Sequence, residues 1–529
     1  MYDLIIRNGF VLDGSGAPGL KQDVAIVAGK IAAIAYPLTG KAEREIDAEG
    51  LIVTPGFMDM HSHADRSILS NPKAESAIRQ GITFVLAGQC GGSEAPLTET
   101  ARIKLQGKRE TKVDWHSMDD FFNRLEQDGI AINMAMLIGQ GTIRYQVMGM
   151  NPAKPSTEEM AAMCQMVDQA MQDGAYGLSS GRRYLPGSLA SHEEIVEVAR
   201  PVAKYDGIYD SHIFNQDLQV VQSLADLIDV GRQSGARPHL AHQKVCGKRN
   251  WGKTTECLAL MEAARAEGID ILSDLYLHPF TQIYPIATQL PAWLMENGLE
   301  AALQTIKAPE IYQKVFEELS AFEASNPVRY QSVLGNGILW CKTTEGLEGL
   351  DLREVMAMWQ IDYADLVLRL FLENEGQVKT AGIMGEEDIA RILKHPYSMV
   401  GTDSFVVDDK KIDLLEAHPR NYETYPYTIA KYVREEKLID LATCIHKMTG
   451  MVADRLRLGD RGRIAVGAWA DVAIFDFNTI GTNCSITQPT EYPNGIAYVV
   501  VNGKLTWDKG IYHDVRGGKS IRNPKRFTK

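Results

Sequence analysis

The chain has 529 residues, a formal net charge of −13, 45% apolar and 23% charged residues, a composition ordinary for a soluble globular protein of two or three domains or one enlarged barrel. The excess of acid argues against nucleic acid as a main partner, since phosphate binding needs a basic face, but leaves room for a local positive pocket. Seven scattered cysteines suggest a reducing, cytoplasmic setting without a disulfide framework, and neither a signal peptide nor an apolar run long enough for a membrane span is expected.

Residues 1–53 read as short strands at Asp3 to Arg7, Phe10 to Asp13, Asp23 to Val27 and Lys30 to Ala35, punctuated by Gly and Asn as in hairpins. Residues 457–529 have the same texture: Gly467-Ala468-Trp469-Ala470-Asp471 leads into Val472 to Phe475, and Ala497 to Val501 precedes the turn Asn502-Gly503. The two ends are expected to form one composite β-sandwich domain, with two unrelated β caps as the alternative. Residues 54–456 alternate strand-like and helix-like segments. Candidate strands are Gly56 to His61, Thr83 to Ala87, Ile132 to Ile138, Gly174 to Leu178, Ile208 to His212, His239 to His242, Ile269 to Leu275 and Ser398 to Gly401. Helical periodicity fills Glu158 to Gln172, Asp217 to Ser234 and Thr254 to Glu267. Eight strands in this rhythm predict an α/β fold of the (β/α)₈ type; the spacing alone also fits a doubly wound sheet. The stretch from about 277 to 336 is too long for one βα unit and reads as an inserted helical subdomain covering a barrel mouth.

The chemistry-bearing residues gather at candidate strand ends, where a barrel of this type holds its active site. His61 and His63 follow Pro55-Gly56-Phe57-Met58-Asp59-Met60; two histidines at i and i+2 on a strand share a face and can converge on one divalent ion. Cys90 ends Leu86-Ala87-Gly88-Gln89, His212 ends Ile208 to Ser211, His242 ends His239-Leu240-Ala241, and Asp403 lies in Val400-Gly401-Thr402-Asp403-Ser404. Singly, a Cys is usually packing, a His a satisfied structural residue and an Asp a turn cap; together they describe a metal site.

These motifs resemble the amidohydrolase superfamily, as does Gly462-Arg463-Ile464-Ala465-Val466-Gly467 near the end, so the resemblance covers nearly the whole chain. Within it the chain is most similar to the D-aminoacylase (N-acyl-D-amino-acid deacylase) family. Gly174 to Gly181 offers no lysine for a carboxylated bridge between two metals, whereas Cys90 matches the cysteine that this family uses after its second strand. Ser179 to Pro186, Lys244 with Asn250-Trp251-Gly252, Asp274-Leu275-Tyr276, Ile383 to Asp388 leading to His395-Pro396, and His418-Pro419-Arg420 carry the same likeness. The resemblance implies one tightly held zinc on Cys90, His212 and His242, with His61, His63 and Asp403 shaping a weaker adjacent position. It also implies hydrolysis of N-acyl-D-amino acids, small-molecule substrates whose free carboxylate Arg420, Lys244 and Tyr276 would hold. Asp403 is the candidate general base and Tyr184 the candidate oxyanion donor.

Several positions depart from the family pattern: Ala64, Gln243, Leu277 to Thr281, and a longer stretch after Asp403 that includes Asp408, Asp409, Lys410 and Lys411. These bear on side-chain and acyl specificity. Arg182 and Arg183, just before Tyr184, would favour an acidic side chain such as D-glutamate or D-aspartate, unless they are simply solvated. The rival readings are a cyclic amide hydrolase of the dihydropyrimidinase or dihydroorotase kind and a non-catalytic scaffold on the same fold.

Overall fold

The computed structural model describes residues 1–407 and 412–527; Asp408, Asp409, Lys410 and Lys411 lie outside the described residues. The chain opens with strands β1 (Tyr2–Val11), β2 (Leu20–Val27), β3 (Lys30–Ala35), β4 (Ala42–Asp47) and β5 (Ile52–Pro55). β1 is continuous where the sequence suggested two strands, with an irregularity in its pairing with β2 between Ile6 and Gly9. Asn8 takes the left-handed conformation there, at φ 60°, and its backbone N–H donates to Asp23 Oδ1 at 2.7 Å, so the kink keeps its hydrogen bond.

Next come β6 (Phe57–Asp59), β7 (Ile82–Ala87), β8 (Asn133–Met136), β9 (Ile138–Gly139), β10 (Gly177–Gly181), β11 (Ile208–His212), β12 (Arg237–Leu240) and β13 (Leu272–Leu275). β14 (Tyr284–Pro285), β15 (Asn336–Cys341) and β16 (Val378–Gly382) intervene before β17 (Ser398–Val400). Two parallel arcs result, β6-β7-β8 and β9-β10-β11-β12-β13-β17. β8 and β9 are halves of one strand interrupted at Leu137. The Leu137 N–H reaches Ala87 O at 2.8 Å and the Tyr176 N–H reaches Met136 O at 2.9 Å, joining the arcs on one side. On the other side the Asp403 N–H donates to His61 O at 2.8 Å and the His63 N–H to Ser404 O at 2.7 Å. The ring closes as an eight-stranded parallel barrel, with helices such as Thr157–Asp173, Val220–Ser234 and Thr254–Ala266 between its strands.

The fourth barrel strand begins three residues later than the sequence pattern suggested. The helix Thr157–Asp173, started by a reciprocal cap between Ser156 and Glu159, stops at Gly174 in the left-handed conformation. Residues 174–176 are then spent reversing the chain. Between β13 and β17 the chain builds helices together with the antiparallel sheet β14-β16-β15, around a separate core running from Ile286 to Val378.

The remaining strands, β18 (Val472–Phe475), β19 (Ile496–Val501), β20 (Lys504–Asp508) and β21 (Ile511–Tyr512), join β1 to β5 in one nine-stranded sheet. β5 is the junction, parallel to β1 and antiparallel to β18, and Leu4, Val24, Val472 and Val500 share one core. Among the described residues no helix is long and apolar enough to cross a membrane.

Asp471 fastens this sheet to the barrel. Its carboxylate accepts from the Asn502 N–H at 2.7 Å and from Asn133 Nδ2 on β8 at 3.1 Å, and it pairs with the buried Arg461. Removing one partner of a buried pair strands the other charge, at about 3 kcal/mol or more. Asp471→Ala is therefore expected to lower folding stability by about 3 kcal/mol in denaturant unfolding; a loss below about 1 kcal/mol would show that the junction carries little of the fold.

Candidate metal centre and active site

The ten residues singled out in the sequence converge at the C-terminal mouth of the barrel. His61, Cys90, His242 and Asp403 each present a ligand atom within 4.8 Å of the others. Cys90 Sγ lies 3.4 Å from His242 Nε2, 3.5 Å from His61 Nε2 and 3.7 Å from His212 Nδ1. His212 Nδ1 and His242 Nε2 are 2.8 Å apart. His63 stands to one side, with Nε2 3.2 Å from Asp403 Oδ1 and its ring stacked on Phe405. Tyr184 has an exposed side, yet its hydroxyl lies 3.4 Å from His212 Nδ1.

Local backbone geometry sets these positions. Cys90, His242 and Asp403 sit just beyond strand ends in left-handed conformations, at φ 53°, 35° and 53°. That conformation is uncommon for non-glycine residues, costs of order 1–3 kcal/mol, and clusters at functional sites. It turns each side chain inward immediately after its strand ends. Gly91 makes the turn after Cys90 possible: at φ +78° a Cβ would meet the Gly181 backbone nitrogen at 2.5 Å.

The charged groups balance one another. Asp403 Oδ2 pairs with Arg420 Nη1 at 3.0 Å. Burial alone would raise the Asp403 pKa, but Arg420, His242 and His63 outweigh it and hold the carboxyl well below its ordinary range. Burial opposes ionisation of Cys90 too, yet the neighbouring His242 and His61 rings, with hydrogen bonds from His212 and His242, hold its thiol well below the usual value. Burial, and then each other's neighbours, keep His212 and His242 neutral: His212 is pushed down to about 3, and His242 is lowered by burial and Lys244. His61 goes the other way, because Asp274 and Cys90 overcome its burial. Tyr184 is held well above its ordinary value by burial and the nearby Cys90, so its hydroxyl keeps its proton.

The substrate-side residues form a second group on the same cavity. Lys244 Nζ donates to Tyr276 OH at 2.7 Å. The Arg420 guanidinium lies 4.8 Å from the centre of the Tyr276 ring and donates to Gln282 Oε1 at 3.0 Å. Burial lowers the Lys244 pKa. The two neighbouring arginines part ways: Arg182 turns aside to Asp226 at 2.6 Å, whereas Arg183 lines the cavity.

The supporting residues were not singled out from the sequence. Asp274 is a hub: Oδ1 accepts from the His242 N–H at 3.0 Å, Oδ2 lies 3.0 Å from His239 Nε2 and 3.6 Å from His61 Nδ1. Asp59 accepts from the His61 N–H at 3.1 Å and from the Thr402 N–H at 2.9 Å. The Gln216 amide meets His242 Nδ1 at 3.1 Å. The available sequence signal was position, since Asp274 is the penultimate residue of the seventh barrel strand, within Asp274-Leu275-Tyr276; Gln216 lies in a loop and carried none.

The barrel, the strand-end ligands and the carboxylate beside them define a metal-dependent hydrolase site of the amidohydrolase type. The amidohydrolase family profile matches residues 44–507, and the chain belongs to that family. It is 34% identical over 505 residues to an N-acyl-D-glutamate deacylase of Alcaligenes xylosoxydans xylosoxydans, covering 95% of this chain and 93% of the relative. Among solved structures it is similar to the N-acyl-D-glutamate deacylase of Bordetella bronchiseptica complexed with zinc and a phosphonate mimic of the tetrahedral intermediate. That match has a TM-score of 0.77 and 28% identity, covering 98% of this chain and 99% of the other. A D-aminoacylase described as having a binuclear metal centre, with one-metal activation and second-metal attenuation, matches with a TM-score of 0.77 and 30% identity, over 99% of this chain and 100% of that one.

The unequal thiols give a direct test in metal-stripped protein. Cys90 is partly accessible and its lowered pKa makes it a thiolate at neutral pH, while burial pushes Cys246 up to about 11 and Cys257 up to about 12. Only the thiolate reacts with alkylating agents. Iodoacetamide at pH 6.5 is expected to label Cys90 first, read by peptide mass spectrometry, with protection by added divalent metal. Equal labelling of Cys246 and Cys90 would contradict the charge balance described.

Proposed function

We propose that this chain is a zinc-dependent hydrolase that cleaves the amide bond of N-acyl-D-amino acids, releasing a free D-amino acid and a carboxylate. The observation that carries the reading is the meeting of one sulfur and two neutral imidazoles beside Asp403, itself paired with Arg420. The donor set fits zinc: tetrahedral bonds of about 2.3 Å to sulfur and about 2.0 Å to nitrogen span about 3.5 Å from sulfur to nitrogen, as Cys90 shows to His242 and His212 at 3.4 and 3.7 Å; the two imidazole nitrogens, 2.8 Å apart, would part by about 0.5 Å around the ion, and thiolate with imidazole suits it. Cys90, His212 and His242 would hold the tight zinc; His61, His63 and Asp403 would shape a weaker second position. Support comes from the relatives, one of which was solved with zinc and a tetrahedral mimic, and another described as activated by one metal. Bound there, zinc supplies Lewis acidity, which acidifies water and polarises an amide carbonyl.

The protein's own groups do the rest. Asp403 takes the proton of the attacking water and returns it to the leaving nitrogen. Arg420 holds Asp403 ionised before substrate arrives. A substrate carboxylate settling on Arg420 then shares that cation, and Asp403 becomes a stronger base as the complex forms. Lys244 and the Tyr276 hydroxyl complete the grip on the same carboxylate. The Tyr184 hydroxyl, whose proton burial and Cys90 help to hold, donates to the oxygen that gains charge. Gly177–Gly181 carries no lysine, which disfavours the bridged two-metal centre of a cyclic amide hydrolase. In this reading residues 1–53 and 457–529 form a composite β-domain, residues 54–456 the catalytic barrel, and about 277–336 a subdomain over its mouth. Seven free cysteines and a zinc–thiolate centre suit a cytoplasmic location.

A screen of N-acetyl- and N-formyl-amino acids of both hands, with metal measured on the same preparation, is expected to show hydrolysis of D-forms and one tightly held zinc per chain. Hydrolysis of dihydropyrimidines in preference to every linear substrate, with two tight zincs, would replace this reading with the cyclic amide one. Cys90→Ala is expected to lose the tight zinc with unchanged circular dichroism. Asp403→Asn is expected to keep it while kcat falls about 10²- to 10⁴-fold; an unchanged kcat would assign the base elsewhere.

A further inference from the structure

The cavity above the candidate metal centre measures about 1490 Å³, well beyond the roughly 300–1,000 Å³ typical of small-molecule pockets. An N-acetyl amino acid would fill a minor part of it. The two sides of the cavity differ. Lys244, Tyr276 and Arg420, the candidate grip on the substrate carboxylate, follow the sixth, seventh and eighth barrel strands, β12, β13 and β17. Across the mouth, beyond the second, third and fourth strands, two helices, Glu99–Gln106 and Gln140–Met148, supply the wall.

These helices and the loop before them are tied together. The Ser93 N–H donates to Thr142 Oγ1 at 2.9 Å, Gln146 Nε2 donates to Pro96 O at 2.7 Å, and the Lys104 ammonium meets the Tyr145 hydroxyl. The inner end of the wall abuts the Cys90 loop: a Cβ at Gly141 would stand 2.8 Å from Gly91 O and 3.8 Å from Pro186 Cδ. From there Gly141 and Tyr145, at i and i+4, share a face of one helix; Ala101 and Leu105 share a face of the other, with Leu97 a turn earlier. All five line the cavity, as does Met150 just past the helix end. Leu97, Leu105 and Tyr145 are half-buried and Met150 is 55% exposed. Between Gly141 and Met148 the wall climbs about 10 Å. Its polar groups are engaged elsewhere, Thr142, Gln146 and Lys104 by the bonds just given and Glu94 Oε1 by Arg109 at 2.8 Å. Arg66 and Lys108 are exposed and keep their charges in water. The remaining face is apolar, and water against it is released when hydrocarbon takes its place.

Direction follows from the barrel. A substrate held by its carboxylate beyond the sixth to eighth strands, with its amide carbonyl at the metal centre and Tyr184, sends its acyl group across the mouth toward this wall. We infer that the wall is the acyl subsite and binds an extended apolar chain, so that the preferred substrates are N-acyl-D-amino acids with medium- or long-chain fatty acyl groups. The inference rests on the deacylase reading for the carboxylate and the amide. Each buried methylene favours binding by up to about fourfold, and the wall has length for several.

The test compares N-acetyl and N-octanoyl derivatives of D-leucine and of D-glutamate, with zinc-loaded wild type and the variant Ala101→Trp, which fills the wall from a helix that has no buried residue. Circular dichroism checks its fold, and Leu105→Gln takes its place should it misfold. For at least one amino acid the octanoyl form is expected to exceed the acetyl form in kcat/KM by tenfold or more in wild type, and that ratio should shrink at least fivefold in the variant. A wild-type ratio below tenfold for both amino acids, or a smaller change in the variant, would overturn the subsite. Should none of the four be cleaved, the deacylase reading fails, and calorimetry with octanoate and acetate then judges the wall alone. Octanoate binding tenfold tighter than acetate in wild type, and weakened fivefold in the variant, keeps it; any lesser difference, or no binding, removes it.

Discussion

The site depends on neutralising a buried thiolate and a buried carboxylate within a few ångströms of each other. Cys90 and Asp403 both carry negative charge in surroundings that disfavour it. Left alone, each would take up a proton rather than remain ionised. Arg420 answers Asp403 directly at 3.0 Å, and the imidazoles around Cys90 answer the sulfur. The arrangement is electrically matched to a cation at its centre, because three soft or borderline donors already point at one place and two of the imidazoles are held neutral. Asp274 steadies it from below, tying the His242 backbone and the His239 and His61 rings to one carboxylate. Carboxylates behind ligand histidines fix ring orientation and raise ligand basicity.

The barrel supplies this matching through a small number of backbone decisions. A parallel strand ends, and two or three residues later one residue takes a left-handed turn that swings its side chain over the mouth; Cys90, His242 and Asp403 all do so. The closing hydrogen bonds of the ring involve the same residues, since the Asp403 N–H bonds His61 O and the His63 N–H bonds Ser404 O. Barrel closure and ligand placement are thus one event. The last strand cannot seat beside the first without bringing the carboxylate to the histidines.

Much of this was readable in the residues. The eight strands stood out because each is a short apolar run bounded by turn chemistry, and the ligands stood out because each is a reactive side chain directly after such a run. Boundaries were less legible. The strand Gly177–Gly181 was placed three residues early because Gly174 reads equally well as a strand start and as a helix stop; only the capped helix before it, Thr157–Asp173, decides between them. The partition of Arg182 and Arg183 was also hidden. Adjacent residues point in different directions, and it took Asp226 on a neighbouring helix to draw one away. Asp274 and Gln216 act on residues distant in sequence and Asp59 ties His61 to the distant Thr402, so their supporting roles depend on the closed barrel rather than on local sequence. The sheet between β13 and β17 was missed because β14 is two residues long and pairs with a strand almost a hundred residues away.

The distribution of charge then separates two tasks that a single metal site cannot perform alone. Of the inner cations, Arg420 is paired with Asp403 and Lys244 is hydrogen-bonded to the neutral Tyr276 hydroxyl, so both are already oriented when a substrate carboxylate arrives. Arg183, Arg249 and Arg329 also line the cavity, on elements of different origin, two barrel loops and the insertion; Arg183 shares the Ser332 hydroxyl with Asp217. An insertion that contributed only a cover would need apolar contact with the barrel rim. One that contributes arginines to the cavity wall instead alters the field felt by an approaching anion, which governs both how fast it enters and which anions are retained. The candidate metal ligands thus stand on the strand ends, whereas the segment between β13 and β17 and the loops facing it contribute to the cavity wall without touching Cys90, His212 or His242.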